Sequence, residues 1–212
     1  MVDYINHMGD DDTVCNAARV SMDKTADMFS VNQNAKLIAY LAKHNHWSPF
    51  AHCTLQLRFT APIFVARQLA KHQIGFAWNE VSRRYVDSRP SFWLPDSREF
   101  RKRADNVKQG SSDEIHPDSA RFAQKWEDLH MYAEMVYNDM IYKGVCPEQA
   151  RAILPQTMIT QWMWTGSLYA WSRMFKLRID PHAQREVQVY AQQVGDIATK
   201  YFPLSWNALT EV

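Results

Sequence analysis

The sequence predicts an α+β domain, with strands in the first half and helices dominating the second. Three observations predict it. CTLQLRFT (53–60) alternates apolar and polar residues, as a half-buried strand does. Asp118 to Lys143 is long, periodic and free of proline, and Gly144 follows as a C-terminal stop. The chain has 212 residues, which suits one domain with a sizeable core.

The elements follow in order. Residues 2–6 suit a short strand. Asp12 is placed to cap a short helix through Val20. Asn32 is placed to cap a helix running to about His44, with Leu37, Ile38 and Leu41 at helical spacing. Pro62 suits the first position of a helix, where its missing N–H costs nothing. That helix, PIFVARQLAKHQI, would put Arg67 and Lys71 one turn apart on one face. Arg84 to Val86 and Ser91 to Leu94 are candidate strands, and residues 96–116 read as a polar loop. Pro147 opens a short helix. Pro155 to Leu177 is apolar on most sides and belongs to the buried, helical half. Asp180-Pro181 then opens a last helix to about Tyr201.

Composition excludes some functions. Lys and Arg total 24 against 23 Asp and Glu, so no basic excess suggests duplex binding. No apolar run approaches the roughly 18 residues of a membrane span. The opening MVDYINHMGDDDT lacks the apolar core of a signal peptide. The three cysteines, Cys15, Cys53 and Cys146, are far apart, and none forms a Cys-x-x-Cys pair. A cytoplasmic protein is the expectation, in host cytoplasm if the source is viral. Cys146 reads as a packed thiol. Trp162, Trp164 and Trp171 read as core.

The six glycines form no dinucleotide-binding turn and no P-loop. Any bound phosphate must be held by side chains and helix ends. His44, His46 and His52 are close in sequence but match no standard metal spacing, so no metal is expected.

Chemistry gathers after Pro62. Arg67, Gln68, Lys71, His72 and Gln73 crowd a helix end, and Asn79, Glu80, Ser82, Arg83 and Arg84 follow closely. Arginine offers a planar fork for phosphate or a pyrimidine edge. Taken alone, the segment reads equally well as a solvated charged loop.

Lys71-His72-Gln73, eight further residues, Ser82 and then Arg83-Arg84-Tyr85 resemble the signature of the flavin-dependent thymidylate synthases. That signature is Arg-His-Arg, a short interval, Ser and an Arg-Tyr pair. Ala18-Arg19-Val20-Ser21, PIFVARQ (62–68), HWSPFAH (46–52), Gln149-Ala150-Arg151 with Leu154-Pro155, and Leu177-Arg178 with His182-Ala183-Gln184 resemble its other segments. All run in family order. Two signature arginines are replaced: Lys71 keeps the charge without the bidentate fork, and Gln73 loses the charge. The family often has Asn and Arg where Ser167 and Tyr169 stand here.

The resemblance implies a single domain over residues 1–212 with a small antiparallel or mixed sheet and several helices. It implies methylation of dUMP to dTMP. Methylenetetrahydrofolate would supply the carbon, and FAD reduced by NADPH the hydride. Arg178 and Ser82 would be catalytic. Gln68, Lys71, Val81, Ser82, Arg83, Arg84, Arg151 and Arg178 would bind dUMP, with Arg151 on the phosphate and Arg178 on the uracil ring. Ser21, His46, Ser48, Lys71, His72, Gln73, Ile74, Asn79, Glu80, Ser167, Arg173 and His182 would lie along FAD. A homotetramer with sites at subunit interfaces is implied; no membrane or nucleic-acid partner is.

Other readings stand beside these. Ser82 would need an activating base to serve as a nucleophile, and substrate contact suits it better. His182 could cap the last helix, and Arg178 could pair with Asp180. A related enzyme could take another pyrimidine nucleotide or release a hydroxymethyl product. The stretch 83–103 could instead make a single-strand-binding module.

Overall fold

A computed structural model describes residues 1–95, 99–105 and 111–211. Among the described residues, four strands, β1 (Val2–Met8), β2 (Thr54–Pro62), β3 (Phe76–Glu80) and β4 (Ile159–Ser167), form one sheet in the order β1-β2-β4-β3. β1 pairs antiparallel with β2, from Val2 opposite Phe59 to Met8 opposite Thr54. The helices are α1 (Asp11–Arg19), α2 (Val31–Lys43), α3 (Ser48–Ala51), α4 (Ile63–Leu69), α5 (Ser119–Tyr142), α6 (Pro147–Ala150), α7 (Leu168–Ile179), α8 (Arg185–Tyr201) and α9 (Pro203–Thr210). The α+β class therefore holds. Among the described residues, no helix is long and apolar enough to cross a membrane.

Several boundaries differ from the sequence expectation, each for a local reason. Asp10, not Asp12, caps α1: its side chain accepts from the Thr13 amide at 2.8 Å, and Thr13 Oγ1 accepts from the Asp10 amide at 3.1 Å. Ser30, not Asn32, caps α2 through the same kind of box with Gln33. Pro62 stays in β2, and α4 ends at Leu69, so Lys71 lies on a turn and not one helical turn above Arg67. Residues 83–85 form a turn closed on Ser82, and Phe92 makes only an isolated bridge to Met158. Of the expected loop 96–116, residues 96–98 and 106–110 lie outside the described residues. The rest folds back through a bridge between Arg101 and Ile115. The last long helix opens at Arg185, because Asp180 is spent on a turn with His182, and α9 follows it.

The largest correction is β4. Its alternate residues Thr160, Trp162, Trp164 and Gly166 are buried, a strand period inside what reads as the helical half. Sheet order puts β4 between β2 and β3, so both its edges are paired, while its second face, Gln161, Met163 and Thr165, is only partly covered.

The chain divides into two compact units. The first comprises Met1–Phe59, Leu69–Asn79 and Met163–Val212; the second comprises Thr60–Gln68 and Glu80–Trp162. In the first, Phe59, Phe76, Trp164 and Trp171 form an aromatic core. Trp171 lies 4.7 Å from Trp164 and 4.9 Å from Phe76 between ring centres. Trp171 Nε1 donates to the Leu55 carbonyl at 3.0 Å, which ties α7 to β2. Helices α7, α8 and α9 pack together, and α2 packs on α9. Cys15 and Cys53 are buried here, and burial pushes the Cys53 thiol up to about 12.

Asp11 holds α9 from a distance. Its carboxylate accepts from the Leu204 and Ser205 amides at 2.9 and 2.8 Å, satisfying two free donors at that helix start. Asp11→Ala is expected to cost about 1–2 kcal/mol. Urea unfolding measures this, and an unchanged midpoint would show that the cap contributes nothing.

In the second unit, α5 buries Ala123, His130, Ala133 and Tyr137. Gly144 ends it as expected, with φ +82 and bonds from Gly144 N to Ile141 O and from Val145 N to Met140 O. Phe92 stacks on His130 at 4.7 Å, and His130 bonds Thr157 Oγ1 at 2.7 Å. Cys146 is exposed, against the expectation of a packed thiol, because it stands just outside the first turn of α6.

Candidate functional site

In the first unit, candidate residues gather on the loop after α4. The His72 amide donates to Leu69 O at 3.0 Å and closes the turn that ends the helix. Gly75 has φ +83, and a Cβ there would lie 2.9 Å from Ala170 Cβ. The Ser167 amide donates to Gly75 O at 3.1 Å. The loop is thus pressed against the start of α7.

At the other end of α7, Arg178 Nε donates to His72 Nε2 at 2.9 Å. A guanidinium cannot accept, so Nε2 presents its lone pair and the proton of the neutral ring is on Nδ1. Burial, then the Arg178 and Arg173 charges, push the His72 pKa down to about 4 from an ordinary 6.5. Folding therefore favours the neutral ring. The stability this adds is present above about 6.5 and is lost as pH falls toward 4. Burial also lowers the Arg178 pKa. Asp180, the alternative partner considered for Arg178, accepts from the His182 amide at 2.7 Å and meets its ring at 3.0 Å. His182 is thereby engaged in a local turn ahead of α8; it does not cap that helix.

The other flavin candidates of this unit stand on several elements. Ser167 caps it, its Oγ accepting from the Ala170 amide at 3.2 Å. Helix α3, which starts at Ser48, packs on α7. Trp47, 55% exposed, lies 6.2 Å from Tyr169. His46 packs against Tyr40 and His44. Lys71, Gln73, Ile74, Asn79 and Arg173 are exposed, and Ser21 is exposed on the turn after α1. This donor set suits a large planar anionic cofactor such as FAD. Lys71 and Arg173 offer positive charge, Nδ1–H of His72 a directed donor, and Trp47, Tyr169 and Ile74 flat or apolar surface.

The second unit holds most nucleotide candidates. Ser82 Oγ accepts from the Arg84 amide at 3.3 Å, and Ser82 O accepts from the Tyr85 and Val86 amides. That makes a serine turn, and the amide on its hydroxyl is not a base. Arg83 donates to Ser88 O and lies over the Tyr137 ring at 5.7 Å. Arg84 meets Glu148 of α6 at 3.5 Å, an exposed pair worth about 0–1 kcal/mol that is easily surrendered to a phosphate. Arg151 is exposed in the turn directly after α6. The Val81 amide donates to Gln161 O at 2.9 Å, and Gln68 is half-buried on α4.

Glu80 accepts from Thr160 Oγ1 at 2.7 Å. Sequence reading missed Thr160, as it missed the Trp47–Tyr169 pair and Tyr137 beneath Arg83. Thr160 was findable, because the alternation of ITQWMWTGS marks a strand that would carry it. Among the described residues, no group of three or more His, Cys, Asp or Glu is placed to hold a metal.

The family model described as Thymidylate synthase complementing protein matches residues 3–204. The chain belongs to the flavin-dependent thymidylate synthase family. A flavin-dependent thymidylate synthase of Wolbachia pipientis is 36% identical over 98% of this chain and 72% of its own length. One of Thermus thermophilus is 35% identical over 99% of this chain and 75% of its own. The fold agrees: a UMP/dUMP methylase, PolB of Streptomyces cacaoi bound with 5-Br dUMP, superposes with TM-score 0.89 at 26% identity. That match covers 100% of this chain and 94% of the other. The same methylase bound with 5-Br UMP superposes equally well. Family membership makes this chain's Lys71-His72-Gln73 a variant signature, in which His72 is the member kept.

Proposed function

We propose that this protein methylates dUMP to dTMP, as one domain working in a cytoplasmic homotetramer. The observation that carries this reading is the chain-long likeness to enzymes named for that reaction. Bound FAD, reduced by NADPH, would supply the hydride, and methylenetetrahydrofolate the carbon. Ser21, His46, Ser48, Lys71, His72, Gln73, Ile74, Asn79, Glu80, Ser167, Arg173 and His182 would hold the flavin.

The chain's own groups bind and polarise. Arg151 and Arg84 take the nucleotide phosphate, with Gln68, Val81 and Arg83 completing the pocket. Arg178 faces the uracil ring and stabilises negative charge developing on it. Ser82 contacts the substrate through a hydroxyl that no base activates, so Ser82→Ala should slow turnover about ten-fold and leave measurable dTMP formation. Complete loss with normal dUMP binding and intact FAD would make Ser82 a nucleophile after all.

The deciding assay combines dUMP, FAD, NADPH and methylenetetrahydrofolate, then omits each in turn. Formation of dTMP only in the complete mixture is expected; none in any mixture refutes the reading. Mass spectrometry separates methyl from hydroxymethyl products. A second substrate is favoured by one observation, the likeness to a methylase named for both UMP and dUMP. Running UMP in parallel tests it.

A further inference from the structure

The geometry points to His72 as a positioning residue that acts through Arg178. Its neutral ring accepts from Arg178 Nε and so fixes how the guanidinium presents its two terminal nitrogens to the nucleotide base. The inference rests on Arg178 as the base contact and deepens that reading.

An arginine side chain has many rotamers to lose, and Arg178 stands in the last turn of α7. Anchoring it at Nε uses neither terminal nitrogen and fixes the plane of the group. His72 is itself well anchored. Its amide bonds Leu69 O, and three residues later the left-handed Gly75 seats the loop on the other end of α7. The loop therefore spans one helix, with the His72 ring at the end that matters.

The chemistry of position 72 is restrictive. A carboxylate would neutralise Arg178, and a cation would repel Arg178 and Arg173, both of which act on the ring from α7. Lys71 adds a third positive charge beside it in the chain. A neutral imidazole accepts at Nε2 and still donates at Nδ1. In the variant triplet Lys71-His72-Gln73, the flanking arginines have changed and the group bonded to Arg178 has not.

The test uses the FAD-loaded enzyme, with His72→Leu, His72→Gln and Arg178→Ala. Absorbance reports FAD content, calorimetry dUMP affinity, and kinetics kcat and KM for dUMP. His72→Leu should weaken dUMP binding about ten-fold at saturating FAD, the cost of an arginine freed from its acceptor. His72→Gln should restore most of that affinity, because its amide oxygen can accept from Nε. The affinity ratio of wild type to His72→Gln should stay flat from pH 8 to 5.5, since the substrate phosphate titrates alike in both. A limb near 6.5 in that ratio would mean a ring protonated at ordinary pH and unable to accept, and would overturn the inference. So would wild-type dUMP affinity in His72→Leu, or a loss in His72→Gln as large as in His72→Leu. If Arg178→Ala is impaired while His72→Leu is not, the function stands and this inference falls. If Arg178→Ala binds dUMP normally, the reading of Arg178 is what fails.

Discussion

Arg178→Lys is expected to lower kcat for dUMP methylation by about 100-fold, the cost of one preorganised donor at a developing negative charge. The charge survives the change, so charge alone does not set the size of the effect. Lysine carries one donor atom in place of a planar fork, so it cannot hold His72 Nε2 and present two parallel donors to a base. The effect should appear mainly in kcat, with a smaller rise in KM, because the interaction strengthens as charge builds on the ring. FAD content should be unchanged. Steady-state kinetics on the FAD-loaded variant measure this, and a kcat within three-fold of wild type would remove Arg178 from the chemistry.

Trp171→Ala carries the largest expected stability effect, about 3–5 kcal/mol. Trp171 has no exposed surface and packs among Phe59, Phe76 and Trp164. Its removal leaves a large cavity and strips the Leu55 carbonyl of its donor. Trp171→Phe keeps a ring and loses the N–H, so it should cost roughly half as much. Because α7 carries Ser167, Arg173 and Arg178, loosening it from β2 should also weaken FAD retention in the folded fraction. Denaturant titration followed by circular dichroism checks the first claim and flavin fluorescence the second. A loss under 1 kcal/mol in Trp171→Ala would mean that the aromatic core repacks around the gap.

Much of the fold was legible because its signals are local. β1, β2 and α5 follow from residue alternation, helical spacing and the stop at Gly144. The misplaced caps are local too, but they turn on competition. Asp10 and Asp12 are both good cap residues, and only the one paired with Thr13 completes a reciprocal box. β4 was misread because Met163 interrupts its alternation on the less buried face and the strand runs directly into the apolar helix α7, so the whole stretch resembles one buried helix. The Trp47–Tyr169 pair was illegible, since 122 positions in the chain separate rings that lie 6.2 Å apart.

By itself, then, the sequence determined the family, the order of its segments and the identity of the variant triplet Lys71-His72-Gln73. Those are properties of residue type and spacing along the chain. The tertiary structure decided what His72 is. Its neutrality and the position of its proton come from burial and from two arginines roughly a hundred residues away in α7. Desolvation and Coulomb interaction depend on distance in space, and only folding brings those charges to His72.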